Sequence, residues 1–189
     1  MKITEDAFNR AQKVKLIIFD VDGVLTDGGI YVGERGEFFK AFHCQDGLGI
    51  KLAQNCGLQT AILTGRESVY TSNRAKELGI TAVKQGHMDK RNAYKELKAE
   101  FNLRDEEIAY VADDLIDLPV FVQVGFRAAV ANANIEVRER AHFVAENDGG
   151  AGAVREVVEF ILKAQGKWTE IFRQYTTVEI SQENFSVNQ

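Results

Sequence analysis

The sequence predicts an α/β fold in which helices cover both faces of a parallel β-sheet. Short apolar runs such as KLIIF (15–19) and IAYVA (108–112) are continuous rather than alternating, as is typical of strands buried on both faces. Stretches with helical spacing separate these runs, and several of them end at a glycine. Strands that alternate with helices build a parallel sheet, because each crossover helix returns the chain to the same edge.

The first third of the chain contains one element that does not follow this alternation. Residues 4–13 are predicted to form a short helix that begins at Thr4 with acids in its first turn, and residues 15–19 the first strand. In residues 28–43, the runs IYV and FFKAFH flank the turn sequence Gly33-Glu34-Arg35-Gly36. This pattern predicts a β-hairpin that projects from the body of the protein.

From residue 46 onward the alternation is regular. We predict helices at 46–55, 68–78, 89–101, 115–124, 134–141 and 151–165. We predict strands at 58–64, 80–84, 108–112, 127–131 and 142–145. Residues 1–166 are therefore expected to form one domain. Residues 167–189 have no clear periodicity, and we interpret them as a C-terminal tail that extends over the surface or onto a neighbouring subunit.

Composition excludes several classes of protein. The chain has 189 residues, of which 45% are apolar, and a net charge of −5, which is the profile of one globular domain. No block of Lys and Arg suggests nucleic-acid binding. No apolar run approaches the roughly 18–20 residues of a membrane-spanning helix, and the polar N-terminus does not resemble a signal peptide. Two cysteines, Cys44 and Cys56, are too few for a disulfide framework, so we expect a cytoplasmic protein.

Polar residues that directly follow the predicted strands form the candidate site. The carboxyl ends of parallel strands meet at one edge of the sheet, where ligands of such folds bind. The acids at this edge include Asp114 and Asp117, each of which could instead cap the following helix. The complete set is Asp20 and Asp22 after the first strand, Thr64 and Arg66 after the second, Lys90 at the start of a helix, and Asp113, Asp114 and Asp117 after the strand 108–112.

Such a collection of side chains favours phosphoryl transfer. Clustered carboxylates raise one another's pKa unless a cation is bound, and Mg²⁺ with oxygen ligands is the usual solution. A carboxylate beside the metal can attack phosphorus, and a second acid two residues further on can act as general acid and base. A Thr hydroxyl and a Lys ammonium can hold the phosphoryl oxygens.

The sequence Asp20-Val21-Asp22-Gly23-Val24, together with Thr64, Lys90 and Asp113-Asp114, resembles the four motifs of the haloacid dehalogenase (HAD) superfamily of phosphohydrolases, in the right order. This resemblance implies a Rossmann-like, HAD-like sheet. It also implies roles for the catalytic and metal-binding residues: Asp20 as nucleophile, Asp22 as general acid/base, Thr64 and Lys90 as phosphate holders, and Mg²⁺ bound by Asp20, by the backbone carbonyl of Asp22 and by Asp113.

Longer segments resemble the phosphatases of that superfamily that act on 3-deoxy-D-manno-octulosonate 8-phosphate (KDO 8-phosphate) in lipopolysaccharide biosynthesis. These segments are FDVDGVLTDGGIYV (19–32), residues 43–47, LTGR (63–66), ADDLIDLPVF (112–121) and GAGAVREV (150–157). The resemblance implies a homotetramer in which a C-terminal tail reaches an adjacent site. It further implies substrate contacts from Asp22, His43, Cys44, Gln45, Asp46, Gly47, Lys51, Arg66, Arg74 and Lys90.

Spacing leaves no room for a cap domain. Only 44 positions separate Asp20 from Thr64, and 26 separate Thr64 from Lys90. The first interval is filled by the hairpin, one helix and one strand. Neighbouring subunits could close such an open site, and apolar hairpin residues are a candidate contact surface: Ile30, Tyr31, Val32, Phe38, Phe39 and Phe42.

Several alternatives remain open at this point. Ala112, Gln45, Leu48 and Ala151 depart from the family pattern, which leaves a nine-carbon ulosonate 9-phosphate as the alternative substrate. A receiver domain is a weaker alternative, because its acids occur in the reverse order along the chain. A non-enzymatic scaffold is also weaker, because this chain keeps the clustered acids. Arg66 and Arg74 could be ordinary surface cations. Residues 149–152 are interpreted as a turn that enters a helix, and His43 and Cys44 lack the partners of a zinc site.

Overall fold

The computed structural model describes residues 4–34 and 36–177. The strands are β1 (Leu16–Phe19), β2 (Tyr31–Gly33), β3 (Gly36–Phe39), β4 (Gln59–Leu63), β5 (Ala82–Lys84), β6 (Ile108–Ala112), β7 (Phe126–Ala129) and β8 (Phe143–Val144). The helices are α1 (Glu5–Ala11), α2 (Cys44–Asn55), α3 (Val69–Leu78), α4 (Arg91–Glu100), α5 (Leu118–Phe121), α6 (Ile135–Arg138), α7 (Ala153–Ala164) and α8 (Trp168–Thr176).

Six strands form one parallel sheet, in the order β5-β4-β1-β6-β7-β8. β1 lies between β4 and β6, with Phe19 opposite Ile62 on one side and Val111 on the other. Every residue of β1 and β6 is buried, as the continuous apolar runs predict. The predicted α/β class is therefore confirmed.

The order of the strands determines where a site can form. The chain leaves β1 towards β4 and β5 on one side and later returns to β6 on the other side. Neighbouring connections thus diverge at the carboxyl ends of β1, β4 and β6, which opens a crevice at that edge. The predicted hairpin is present as the separate antiparallel pair β2–β3. Within the described residues, only this hairpin and α2 lie between β1 and β4, so no cap domain is inserted there.

Helix caps explain most of the boundaries. Thr4 accepts a hydrogen bond from the Ala7 amide at 3.1 Å, and Ser68 accepts one from the Tyr70 amide at 3.2 Å, so both helices begin where the sequence predicts. Gly79 ends α3 with a φ of 70°, a left-handed conformation that favours glycine. The predicted helix 115–124 is instead a 3₁₀ turn at 115–117 followed by the short α5.

The region after residue 166 differs from the sequence interpretation, because it begins with a regular helix. The Trp168 ring of α8 lies beneath the Arg155 guanidinium and the Lys163 ammonium of α7, and Ile171 is buried. α8 therefore packs on its own domain. The remainder of the predicted tail, residues 178–189, lies outside the described residues. None of the described helices combines the length and apolar character needed to cross a membrane.

Candidate active site

The candidate site begins in the loop that follows β1. The Asp20 amide donates to the Val111 carbonyl at 3.1 Å, which extends the β1–β6 pairing by one residue and fixes Asp20 at the edge of the sheet. The Val21 carbonyl then accepts from the amides of Val24, Leu25 and Thr26, which coils the loop into a compact turn. Asp20 is only 3% exposed, so the turn holds a carboxylate almost out of contact with solvent.

Gly23 lets a second carboxylate approach this turn. Its φ of 90° favours glycine, and a Cβ at this position would lie 2.1 Å from Oδ2 of Asp113. Gly149 packs on the other side, where an added Cβ would lie 1.7 Å from the Gly23 carbonyl oxygen. Residues 149–152 therefore form a close-packed turn against the β1 loop and lead into α7, as predicted.

Three carboxylates meet at this edge of the sheet. Oxygen atoms of Asp20, Asp113 and Asp117 lie within 4.8 Å of one another. Burial, together with the Asp117 charge, raises the pKa of Asp20 above its usual range. Burial and the charges of Asp20 and Asp117 raise the pKa of Asp113 as well. The cluster therefore carries more negative charge than its surroundings stabilise.

Lys90 supplies one positive charge to this cluster. Its side chain is fully buried, and Nζ lies 2.5 Å from Oδ1 of Asp117, 3.0 Å from the Tyr110 hydroxyl and 2.9 Å from Oδ1 of Asp20. Burial by itself lowers the pKa of Lys90, but Asp20 and Asp117 outweigh it, so the pKa rises and the ammonium stays charged. One buried cation thus faces three carboxylates.

Asp117 positions Lys90. Its Oδ1 accepts from the Tyr110 hydroxyl at 2.5 Å as well as from Lys90, and its Oδ2 accepts from the amides of Asp113 and Asp114 at 3.3 Å. These four donors satisfy its oxygens. Asp114 is exposed and caps the 3₁₀ turn by accepting from the Leu115 amide at 2.8 Å, so both residues have the capping contacts that the sequence left open.

The remaining carboxylates suit a divalent cation. Oδ1 of Asp20 is buried and has no hydrogen-bond partner among the described residues, although Lys90 lies within ion-pair distance of it. Asp113 lies against the backbone of Gly23; the charges of Asp20, Asp117 and Asp114 raise its pKa, and the charge of Lys90 opposes them. A hard cation with oxygen ligands would supply the positive charge that Lys90 alone does not provide to Asp20 and Asp113. These residues therefore fit the expected metal.

Asp22 faces a different set of partners, which belong largely to the hairpin. The Lys40 ammonium, 2% exposed, contacts Oδ1 of Asp22 and lies 3.1 Å from Oε1 of Glu37. Arg66 Nε lies 3.6 Å from Oδ2 of Asp22, and the Ser68 hydroxyl donates to Glu37. Asp22 is therefore held by Lys40 and Arg66, and Glu37 joins these cations to the start of α3.

Thr64 leaves the sheet at the same edge as Asp20. β4 pairs with β1 in register, and the Thr64 backbone is fixed by β5 and the loop after it, since its amide donates to Lys84 O at 2.9 Å and its carbonyl accepts from the His87 amide at 3.2 Å. The residue is 2% exposed. The structure thus brings together Asp20, Asp22, Thr64, Arg66, Lys90 and Asp113.

The segment 43–47 opens α2 beside this edge, and its members face different surroundings. Asp46 accepts from the amides of Gly152 at 3.3 Å and Arg155 at 2.8 Å, so it caps the start of α7. The Arg74 guanidinium lies over the Phe42 ring and against Gly47, where a Cβ would lie 2.3 Å from Nη2. Nδ1 of His43 is buried without a hydrogen-bond partner among the described residues.

Lys51 is not brought to the acids within one chain. Its Nζ lies beside Gly79, at the end of α3 opposite Ser68. Cys44 is exposed. Gln45, next to it, is exposed as well. Four residues with prominent contacts were missed by sequence reasoning or left open by it, namely Lys40, Glu37, Tyr110 and Asp117. Only Asp117 could be found from the sequence, because it is an acid about one helical turn after Asp113. The partners of the other three residues depend on how the strands and the hairpin pack.

Fold and site together define a phosphohydrolase-like α/β protein without a cap. The family model of haloacid dehalogenase-like hydrolases matches residues 82–157. The 3-deoxy-D-manno-octulosonate 8-phosphate phosphatase KdsC of Yersinia pestis is 47% identical over 165 residues, covering 87% of this chain and 88% of the relative.

Solved structures give the same result. The crystal structure of the Yersinia pestis phosphatase has a TM-score of 0.85 at 47% identity and covers 87% of this chain and 89% of that one. The Moraxella catarrhalis phosphatase, solved with magnesium, phosphate and KDO, has a TM-score of 0.88 at 38% identity and covers 91% and 99%. The chain therefore belongs to the KDO 8-phosphate phosphatase family of haloacid dehalogenase-like hydrolases.

Proposed function

We propose that this protein is a Mg²⁺-dependent phosphatase that hydrolyses KDO 8-phosphate to KDO and inorganic phosphate in lipopolysaccharide biosynthesis. The observation that carries the proposal is the buried Asp20 carboxylate, which lies 2.9 Å from the Lys90 ammonium and is grouped with the carboxylates of Asp113 and Asp117. Relatives named for this activity, at up to 47% identity over most of the chain, support the substrate. These relatives do not favour the nine-carbon alternative.

In the first step, the Asp20 carboxylate attacks the phosphorus atom in line with the leaving group. The bond between phosphorus and the sugar oxygen breaks, and Asp22 donates a proton to that oxygen. Lys90 and Thr64 hold the phosphoryl oxygens as their charge develops. The product of this step is an aspartyl-phosphate on Asp20 and free KDO.

In the second step, Asp22 accepts a proton from a water molecule that attacks the same phosphorus atom. The bond to Asp20 breaks, which releases inorganic phosphate and restores the Asp20 carboxylate and the protonated form of Asp22. The contacts of Asp22 with Lys40 and Arg66 support its part in both steps, because they hold its carboxyl group at the edge where a leaving group would lie.

The carboxylates of Asp20 and Asp113 and the backbone carbonyl of Asp22 are the proposed Mg²⁺ ligands. When bound, Mg²⁺ supplies positive charge that offsets the clustered carboxylates and the phosphate. Asp117 is left out of this set because its oxygens already accept from four donors.

The sugar acid is proposed to contact Arg66, Arg74 and the segment 43–47. An Arg side chain suits the carboxylate of the substrate, since its N–H groups can bind both carboxylate oxygens. His43 lies at the start of this segment, and its buried Nδ1 is 3.8 Å from Oδ2 of Asp46. Asp46 is proposed to contribute indirectly, because it caps α7 and so positions the start of that helix beside the segment 43–47. Lys51 lies away from the acids of its own chain, so it would contact a sugar acid bound in the site of an adjacent chain.

A panel of sugar phosphates tests the activity. Phosphate release is measured from KDO 8-phosphate, a nonulosonate 9-phosphate and hexose 6-phosphates, with Mg²⁺ and with EDTA. We expect kcat/KM for KDO 8-phosphate to exceed the others by about tenfold or more, and EDTA to abolish release. Preference for the nine-carbon acid would contradict KDO 8-phosphate as the substrate but would leave the proposed phosphatase mechanism in place.

The variant Asp20→Asn tests the nucleophile in the same assay. It should lose nearly all turnover while circular dichroism shows an intact fold, because the amide is a poor nucleophile. Glu34→Ala, an exposed change on the hairpin turn, is the matched control with full activity. Wild-type rates in Asp20→Asn would refute the aspartyl-phosphate route.

We further propose a cytoplasmic homotetramer in which neighbouring subunits complete each site. The capless architecture leaves the site open, and phosphoryl transfer benefits from exclusion of water. The hairpin presents Val32 and Phe38, which are 72% and 68% exposed, and Ile30 and Phe39 are also exposed. Phe42 packs against the core and is therefore left out of this surface. Two free cysteines support a reducing compartment.

A further inference from the structure

A cavity of about 480 Å³ lies at the edge of the sheet opposite the carboxylate cluster. Its walls come from the segment before β6, the loop before β7 and the last turn of α1. Three arginines line it, namely Arg10, Arg104 and Arg127, and Val122, Val124 and Gly125 form an apolar side. This cavity is remote from every residue assigned to the phosphatase reaction.

Two of the three arginines are already paired with acids. Arg10 Nε donates to Asp6 at 2.8 Å, and Arg10 Nη1 donates to the Gly125 carbonyl at 3.2 Å. Arg104 lies 2.9 Å from Glu106 and 3.4 Å from Glu107. Asp105, the other acid of the lining, accepts from Tyr94 and Lys98. The acids around the cavity are therefore paired.

Arg127 is the exception. Within residues 4–34 and 36–177, no carboxylate lies within ion-pair distance of its guanidinium, and its Nε is buried without a hydrogen-bond partner. Asp6 acts on it only through its electrostatic field, and Arg10 adds a like charge. A half-buried cation with a dry N–H and no counter-ion is costly unless something else supplies the negative charge.

The contact between Arg127 and His142 also indicates that the Arg127 guanidinium lacks an acceptor. The Arg127 backbone amide donates to His142 Nδ1 at 3.0 Å, and Arg127 Nη2 lies 2.7 Å from His142 Nε2. A neutral imidazole has one N–H and one acceptor, so whichever nitrogen holds the proton, one contact brings two donors together. The backbone amide is fixed by β7, which leaves His142 Nε2–H facing Arg127 Nη2–H. No atom fits between two donors 2.7 Å apart, so an acceptor that relieves this contact lies beside them and binds the Arg127 guanidinium.

We propose that this cavity is a binding site for a small oxyanion, the carboxylate or phosphate group of a small metabolite, with Arg127 as its principal ligand and Arg10 beside it. The oxyanion accepts from the Arg127 guanidinium where it lines the cavity. His142 is not part of the lining and acts by orienting that guanidinium. A charged fork of this kind matches two oxygens of a carboxylate or phosphate. The volume of the cavity leaves room for the organic part of the ligand against Val122 and Val124.

Site-specific NMR on the full chain tests the proposal. The Arg127 Nε–H resonance is followed while sodium sulfate or sodium malonate is added, with sodium chloride at matched ionic strength as the control. We expect a saturable shift with at least one oxyanion and none with chloride. A response to sulfate alone assigns a phosphate-type ligand, and a response to malonate alone assigns a carboxylate. No saturable shift with either anion would overturn the proposal.

Matched variants separate this site from the catalytic site, which also binds oxyanions. Because Arg127→Gln removes the Arg127 resonance, the variants are compared through the backbone amide of Gly125, which also lines the cavity. Arg127→Gln should weaken the anion affinity at the cavity about tenfold or more and leave kcat/KM of the phosphatase unchanged. Arg104→Gln, which lines the same cavity but removes a guanidinium already paired with acids, should keep the affinity. Equal loss of affinity in both variants, or no loss in Arg127→Gln, would contradict the assignment of Arg127.

Discussion

At the scale of single residues, the site is governed by the balance between crowded acids and one buried cation. Burial and the neighbouring acids raise the pKa values of Asp20 and Asp113, and the charge of Lys90 offsets only part of this rise. Asp117 differs from the other two because Lys90, Tyr110 and two backbone amides satisfy its oxygens. It therefore acts through the position of Lys90 rather than on the substrate.

The variant Asp117→Asn tests this positioning role. Its amide would turn N–H donors towards groups that are themselves donors, so Lys90 should shift away from Asp20 and kcat should fall about tenfold or more. Tyr110→Phe removes one contact to Lys90 and keeps both acids, so its kcat should change by less than about threefold. Steady-state kinetics with thermal unfolding in parallel provides the measurement. Equal effects in the two variants would contradict a specific role for Asp117.

His142 predicts a pH dependence of stability far from the site. Burial and the charges of Arg127 and Arg10 lower its pKa from 6.5 to about 4, against a smaller opposing effect of Asp6. Between these values the unfolded chain binds a proton that the folded chain does not, so stability falls as the pH drops from 6.5 towards 4. After allowance for solvent screening, we expect a loss of about 1–2 kcal/mol in the free energy of unfolding.

Urea unfolding at several pH values between 4 and 7 measures this effect. His142→Asn should flatten the dependence by that amount, since Asn keeps an acceptor for the Arg127 amide and does not titrate. An identical slope in the wild type and the variant would show that other groups cause the dependence.

At the scale of elements, the hairpin β2–β3 is tied to the site rather than being a free projection. Glu37 contacts Lys40, Ser68 and Arg66, and Tyr70 donates from α3 to the Phe38 carbonyl at 2.6 Å. Lys40 in turn contacts Asp22. The orientation of Asp22 therefore depends on the docking of the hairpin.

Glu37→Ala should break this connection. Lys40 and Arg66 lose their shared acid, so we expect kcat/KM to fall about tenfold while the melting temperature changes little, because the hairpin contributes little to the core. Glu34→Ala on the same hairpin is the matched control, and it should keep wild-type kinetics. Unchanged kinetics in Glu37→Ala would mean that the hairpin does not position Asp22.

At the scale of the whole molecule, the site is open and the apolar side chains around it are exposed on the hairpin. Phe38 and Val32 lie on the surface proposed to meet other subunits. Phe38→Asp would place a charge in that contact, so we expect sedimentation to show a smaller species and kcat/KM to fall. Ile135→Asp, an exposed apolar residue on α6, should stay tetrameric and active. A tetramer that persists in Phe38→Asp would contradict the hairpin contact.

The sequence by itself determined the α/β class, the six parallel strands to within about two residues, and the order of the motifs. These features depend on local properties: continuous apolar runs, capping residues such as Thr4 and Ser68, and the rule that loops at one edge of a parallel sheet come together. The same rule is sufficient to place Asp20, Thr64 and Asp113 in one site.

Tertiary structure decided what depends on contacts between distant segments. Lys40 reaches Asp22 across 18 positions, and Lys90 reaches Asp117 across 27, so no local pattern could have paired them. The same holds for Lys51, which faces away from the acids, and for Arg127 with its cavity. The helix α8 is a different case, because its signal is local: Trp168, Ile171, Phe172 and Tyr175 have the i, i+3, i+4, i+7 spacing of an amphipathic helix, which the sequence prediction missed. Periodicity predicts a single helix or strand, whereas the pairing of charges depends on contacts that form only when distant segments pack together.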